Sequence, residues 1–310
     1  MKICTLTLNP SLDYVVGLKK LIPGGLNRTA REALFPGGKG INVSQVLLSL
    51  GFPSRVHGFA AGFTGRELER ALGSLGLETA LVFVEGMTRI NVKVHEEESG
   101  ADTEINGAGP VITQAALHAL ERTFDDLEEG DMAVLSGNVP GSLPADLYAK
   151  LGASFAARGV RVVVDAEGES LRSALCIRPY FIKPNRAEAE ALAGLSIGTA
   201  AEAAGAARKL QALGAGNVCI SLGGDGAVLV TEDGEACSGK APYGRVVNPI
   251  GAGDSMAAGL LAGRLLGKTW EEALRLGLCA GSATAFSTGL AGDKEIHALY
   301  SAGEAVVTRL

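Results

Sequence analysis

Met132-Ala133-Val134-Leu135-Ser136 and, beyond a helical stretch from Pro144 to Arg158, Val160-Arg161-Val162-Val163-Val164-Asp165 decide how this chain folds. Each is a short, nearly continuous apolar run that ends in a polar residue. Strands buried on both faces read this way, and they occur where helices cover both sides of a parallel sheet. The flanks repeat the unit. A helical pattern from Thr113 to Leu127 comes before, and Tyr180 to Ile182 runs into Lys183-Pro184-Asn185 and a helix from Arg186 to Ala193 after; a helix from Ala201 to Leu213 then leads to a strand from Asn217 to Ser221. This alternation predicts an open α/β sheet, whose ligands sit in a crevice at the carboxyl ends of the strands. Ser136, Asp165 and Lys183-Pro184-Asn185 should share that crevice.

Toward the N-terminus, Met1 to Leu8 reads as a strand, and Arg55 to Phe59 with a helix from Thr64 to Leu75 adds a βα unit. Between them lie weak strands around Tyr14 to Leu18 and Ala30 to Phe35, then the turn Pro36-Gly37-Gly38-Lys39-Gly40 and a helix from Ile41 to Leu50. Ala80 to Val84, Arg89 to His95 and Thr103 to Ile105 follow with no helix between them. Consecutive antiparallel strands inside an alternating chain predict a small separate sheet, over about residues 12–35 and 80–107 of a single domain spanning 1–310.

Two glycine-rich stretches mislead. Leu222-Gly223-Gly224-Asp225-Gly226 joins strand to strand (Ala227 to Thr231), so it lacks the strand–turn–helix context of a dinucleotide fold. Gly263-Arg264-Leu265-Leu266-Gly267-Lys268-Thr269 resembles a nucleotide phosphate loop, but Ala262 stands where that motif needs glycine and Gly267 suits a helix C-terminus.

Composition narrows the function. Lys and Arg number 28 against 34 Asp and Glu, a net charge of −6, which excludes a broad basic field for nucleic acid or an anionic membrane. Anionic ligands must then be met by a few placed cations. The 5 cysteines are scattered, as suits reduced thiols in a cytoplasm, and the 4 histidines lie far apart, which argues against zinc. The N-terminus enters a strand without a leader pattern, and no apolar run reaches the roughly 18 residues of a membrane span.

Chemistry concentrates at Val247-Asn248-Pro249-Ile250-Gly251-Ala252-Gly253-Asp254-Ser255-Met256, where a glycine turn opens an apolar helix from Asp254 to Leu266. Helices from Trp270 to Phe286 and from Lys294 onward complete the chain. Free N–H groups and the positive end of the helix dipole suit an anion there. A carboxylate beside a bound anion is unfavourable unless it takes a proton from an attacking hydroxyl. Capping alone would also explain an isolated Asp254.

Pro36-Gly37-Gly38-Lys39-Gly40-Ile41-Asn42-Val43, Thr88-Arg89-Ile90-Asn91, Lys183-Pro184-Asn185-Arg186-Ala187-Glu188 and Asn248 through Ser255 occur together, with Thr7 to Asp13 and Thr103 to Gly107. In this order and spacing they resemble the ribokinase-like sugar kinases of the phosphofructokinase B family, most of all the branch of 1-phosphofructokinases and tagatose-6-phosphate kinases. The resemblance implies a three-layer α/β/α sandwich with a mainly parallel central sheet and a small β-sheet lid. It also implies ATP and Mg²⁺ as cofactors, Asp254 as general base, and Gly251, Ala252 and Gly253 as an anion hole.

On the sugar side the resemblance assigns hydroxyl binding to Asp13 and Asn42, and close approach of the sugar to Gly37 and Gly38. Ser136 and Asn138 match substrate contacts, although this branch often has serine at the position of Asn138. Lys39, Arg28 and Arg89 are candidates for the substrate's existing phosphate, which an acidic protein can hold only with local cations. A solvated charge would equally explain Arg28, and a cross-strand pair Arg89. On the nucleotide side the matches are Lys183, Asn185, Ser221, Gly223, Gly226 and Asn248, with Glu188 holding Mg²⁺ through water. Asn185 with Glu188 is also a capping box, and a hairpin needs Gly223 and Gly226 without any ligand.

The expected reaction is ATP-dependent phosphorylation of fructose 1-phosphate at its C6 hydroxyl, giving fructose 1,6-bisphosphate. Pro249 leans instead toward a tagatose-6-phosphate kinase. Another sugar kinase and a catalytically silent sugar-phosphate or nucleotide sensor are the further alternatives; an intact base argues against the sensor. Sheet edges in the lid suggest a homodimer formed through it.

Overall fold

A computed structural model describes residues 1–310. Fourteen strands form two sheets. They are β1 (Ile3–Thr7), β2 (Ser11–Leu18), β3 (Arg31–Gly37), β4 (Arg55–Ala61), β5 (Glu78–Val84), β6 (Arg89–Glu96), β7 (Asp102–Ile105), β8 (Met132–Ser136), β9 (Arg161–Asp165), β10 (Phe181–Ile182), β11 (Asn217–Ser221), β12 (Ala227–Val230), β13 (Ala236–Gly239) and β14 (Val307–Arg309). The main sheet runs β14-β13-β12-β11-β10-β9-β8-β1-β4-β5, parallel from β5 through β11 and antiparallel beyond. The lid runs β3-β2-β6-β7.

Helices α1 (Lys39–Ser49) and α2 (Gly62–Ser74) are followed by α3 (Gln114–Arg122), α4 (Leu147–Ala156), α5 (Gly168–Ala174), α6 (Arg186–Ala193) and α7 (Ala200–Ala212). The last three are α8 (Ala252–Leu265), α9 (Trp270–Ala285) and α10 (Asp293–Ala302). One core of 39 buried residues packs α3 to α7 on one face of the sheet, and another of 27 packs α1, α8, α9 and α10 on the other. Along β8, Ala133 and Leu135 enter the first core while Met132 and Val134 enter the second. Period-2 alternation therefore sends every residue of such a strand into apolar surroundings, which is why it carries no polar beat. The expected three-layer sandwich with a lid is present, and no helix is long and apolar enough to cross a membrane.

The lid differs from expectation in two ways. Ala80 to Val84, expected in it, belongs to β5, which pairs in parallel with β4 at the edge of the main sheet (Arg55↔Glu78 through Ala61↔Val84). As an edge strand β5 is only partly buried, so its pattern matches that of a lid strand. The lid is also not wholly antiparallel. Its central strands β2 and β6 run parallel, because each enters directly from the carboxyl edge of the main sheet, one after β1 and the other after β5. Sequence reading also missed α5, β13 and β14, all of at most 7 residues and too short to show a period.

Candidate active site

Strand order reverses around β1, which has β4 on one side and β8 on the other; the chain visits the β4 side first and then returns. Such a switch point opens a crevice at the carboxyl ends. A polar cavity of about 370 Å³ lies there between Ser136-Gly137-Asn138 and the inner lid face, and a groove of about 760 Å³ lies beyond it at the ends of β10 and β11. They meet at one turn: Gly251 and Asp254 line the cavity, Ala252 and Gly253 the groove.

Gly251 opens α8 with φ +78°, a left-handed conformation that a side chain strains and glycine does not. The N–H groups of Gly251, Gly253 and Asp254 have no backbone partner, whereas Ala252 donates to Pro249 O at 3.2 Å. Ala252, expected in the anion hole, thus has its N–H turned away, and the N–H of Asp254 is free instead. The Asp254 side chain is buried and accepts from Asn42 Nδ2 at 2.7 Å. Burial and then the charge of Asp165 raise its pKa from 3.8 to about 6, against the opposing Asn42 hydrogen bond and Lys183 and Lys39. A carboxylate held near 6 is ionised at neutral pH yet basic enough to accept a hydroxyl proton.

On the lid side, Asp13 accepts from Ser11 Oγ at 2.7 Å and from Asn91 Nδ2 at 2.9 Å, and pairs with Lys93 Nζ at 3.1 Å. Gly37 makes room for it, since a Cβ there would lie 2.6 Å from Asp13 Oδ1. Gly38, Asn42, Ser136, Asn138 and Arg89 line the same cavity, and Arg89 Nε donates to Asn9 O at 3.1 Å. Arg28 does not; it is exposed on the connection between β2 and β3.

Lys39 stands at the junction. Its Nζ lies 3.7 Å from Asp165 Oδ1, while Lys183 Nζ lies 3.4 Å from Asp165 Oδ2. Burial pulls the Lys39 pKa down, but Asp165, Asp254, Glu188 and Glu167 raise it further, and the net shift is upward. Lys183 closes the other side, 3.4 Å from where a Cβ of Gly253 would sit. Asn185, Ser221, Gly223 and Gly226 line the groove. Asn185 and Glu188 form the capping box of α6, with Asn185 N donating to Glu188 Oε2 at 2.9 Å. Asn248, expected near the nucleotide, instead faces the lid beside Val15 and Phe35, and its Nδ2 donates to Thr288 O at 3.2 Å.

Asn91 and Lys93 were absent from the predicted site, and Asp165, expected in the crevice as a strand's polar end, carried no assigned role there. Alternation from Arg89 puts Asn91 and Lys93 on the same face, so their signal was present in β6. Asp165 showed itself only as the polar end of an apolar run.

A buried base at a helix start, between a hydroxyl-lined cavity and a glycine-floored groove, defines a phosphotransferase of the α/β sandwich class. The chain belongs to the pfkB family of carbohydrate kinases, whose family model matches residues 7–296. It is 43% identical over 308 residues to 1-phosphofructokinase of Bacillus subtilis, covering 99% of this chain and 100% of that one. It is 35% identical to D-tagatose-1-phosphate kinase of Bacillus licheniformis, covering 94% of each chain. The solved structure of Escherichia coli phosphofructokinase-2 in complex with substrates and products superposes with a TM-score of 0.93 at 30% identity, over 97% of this chain and 99% of that one.

Proposed function

We propose that the chain phosphorylates fructose 1-phosphate at its C6 hydroxyl with ATP. The observation that carries this reading is the position of Asp254, where the polar cavity and the groove meet and Asn42 holds its carboxylate. The sugar would lie in the cavity with its hydroxyls on Asp13 and Asn42. Asp254 takes the C6 proton, the freed oxygen bonds to the γ-phosphorus, and the bond from that phosphorus to the ADP oxygen breaks. The free N–H groups of Gly251, Gly253 and Asp254, with Lys39 and Lys183, meet the charge on the transferring group. Arg89 and Lys93, on the lid, are the cations left for the phosphate already on the substrate. Such recognition by placed cations suits an acidic chain.

Mg²⁺ fits the donors present. Asp165 Oδ2 is buried without a hydrogen-bond partner, and Glu188 Oε2 serves the cap of α6, leaving its other oxygen for a hydrated cation. When bound, the ion would neutralise nucleotide phosphate charge. The five free cysteines suit a reducing cytoplasm.

The tagatose relative supports a second substrate. D-tagatose 1-phosphate differs from D-fructose 1-phosphate only in configuration at C4 and presents the same C1 phosphate and C6 hydroxyl. An ADP-release assay over sugars and sugar phosphates should give the highest kcat/KM for fructose 1-phosphate, with tagatose 1-phosphate next. A higher kcat/KM for an unphosphorylated sugar, or for a 6-phosphate, would sink the assignment.

A homodimer through the lid is supported by the lid's outer face. Register aligns Leu34, Tyr14, Val92 and Ile105 in one row across all four lid strands, opposite in phase to Asp13, Asn91 and Lys93. Leu34 is 48% and Ile105 62% exposed, so apolar surface stands uncovered. Light scattering should give a dimer for the native chain and a monomer for Ile105→Lys. A native monomer at micromolar concentration would refute the interface.

A further inference from the structure

Between Lys240, whose N–H donates to Val306 O, and Val247, whose N–H donates to Ala285 O, residues 241–246 make no backbone hydrogen bond. Within this strap Pro242 is buried, while Tyr243 is 98% exposed, the largest exposure among the chain's large apolar and aromatic side chains. Yet Tyr243 lines the groove together with Pro242, Val246, Leu278, Ala285 and Phe286, and its neighbour Gly244 lies against the Phe286 ring. The same groove takes in Gly253, beside Lys183, and Asn185, bridged to Ser221, the polar groups suited to phosphates. A nucleotide with its phosphates on these groups has the apolar lining left for its base. An aromatic ring left wholly in water beside an apolar wall gains from a flat partner that covers both, and a nucleobase is such a partner.

We infer that Tyr243 is a nucleotide-binding residue, which the strap 241–246 lays over the base so that the ring stacks on it. The inference rests on the nucleotide reading of the groove. Stacking is tolerant of base identity, so Tyr243 contributes affinity without selecting adenine. The phosphates are held elsewhere, and their binding should not depend on this ring.

Calorimetric titration of the native protein, Tyr243→Phe and Tyr243→Ala with ADP and with inorganic tripolyphosphate separates these contributions. Since Tyr243 packs against nothing, both variants should fold. Tyr243→Ala should raise the Kd for ADP by about 10-fold or more, Tyr243→Phe should keep it within about twofold, and tripolyphosphate affinity should not change in either. An unchanged ADP affinity in Tyr243→Ala overturns the inference while the nucleotide reading stands. Equal losses for ADP and tripolyphosphate also overturn it, because the ring would then act on the groove and not on the base. A native protein that binds no ADP removes the nucleotide reading itself, and the inference with it.

Discussion

Asp254→Asn should lower kcat by about 10²- to 10⁴-fold, the range that a positioned general base supplies, while the KM for the phosphorylated sugar stays near native. The substituted amide has the same shape and can still accept from Asn42 Nδ2, so the sugar site keeps its form. What disappears is the basic carboxylate oxygen proposed to take the C6 proton. Steady-state kinetics on the purified variant give the result directly, and native turnover would exclude Asp254 as the base. The native enzyme should lose kcat as pH falls through about 6, where the raised carboxyl takes up its own proton and can no longer accept the substrate's.

The same substitution should stabilise the fold. Asp254 has a pKa of about 6 in the native state against an ordinary value of 3.8, so the folded protein binds this proton more tightly than the unfolded chain. Stability from this group is therefore greatest below pH 3.8 and falls as pH rises to about 6, beyond which the ionised carboxylate remains a constant cost. Each pKa unit is worth about 1.4 kcal/mol, so the cost at neutral pH is on the order of 3 kcal/mol. Asparagine carries no such charge. Melting temperatures should be higher for Asp254→Asn than for the native chain at pH 7.5, with the gap narrowing toward pH 4. A variant less stable at both pH values would mean that ionised Asp254 is favoured by its two lysines more than burial and Asp165 disfavour it.

Most of the site follows from local patterns that one sequence displays. The turn from Gly251 to Asp254, the glycine pair before Lys39 and the polar ends of β8, β9 and β10 all mark where backbone meets ligand, and the sheet brings them together. The lid was less legible because pairing direction is not local: β2 and β6 became parallel through two excursions from the same sheet edge, some 70 residues apart in the chain. Arg28 shows the opposite limit. Its charge and its position near a turn match a phosphate ligand in composition, but nothing in the sequence says where the β2–β3 connection runs; Arg28 is exposed on it and is not among the residues lining the cavity. Asp165, placed in the crevice as a strand end, stayed without a role for a related reason. A carboxylate at the end of one strand gains meaning only from Lys39 and Lys183, which arrive from α1 and β10.

That convergence changes what Lys39 should do. As a cation among glycines it suits the phosphate already on the substrate, in which case Lys39→Met would raise the KM for fructose 1-phosphate and leave kcat alone. In the folded protein its ammonium lies against Asp165 and in the field of Asp254 and Glu188, between the cavity and the groove. A cation there comes closest to the phosphoryl group while that group passes between the substrates, which is the condition for lowering a barrier rather than tightening binding. Lys39→Met should therefore cost about 10²- to 10³-fold in kcat, the loss typical of one electrostatic contact to a transition state, with KM for the sugar phosphate within a few-fold of native. Arg89→Ala should show the reverse split, because its guanidinium reaches the cavity from the lid, away from Asp254. Part of the Lys39 effect comes from Asp165, which keeps only Lys183 as a counter-ion and becomes a stronger repellent of incoming phosphate. A cycle of Lys39→Met, Asp165→Asn and the double variant separates the two contributions: a Lys39→Met loss that shrinks in the Asp165→Asn background would assign it to the uncompensated carboxylate, and an equal loss in both backgrounds to the missing cation.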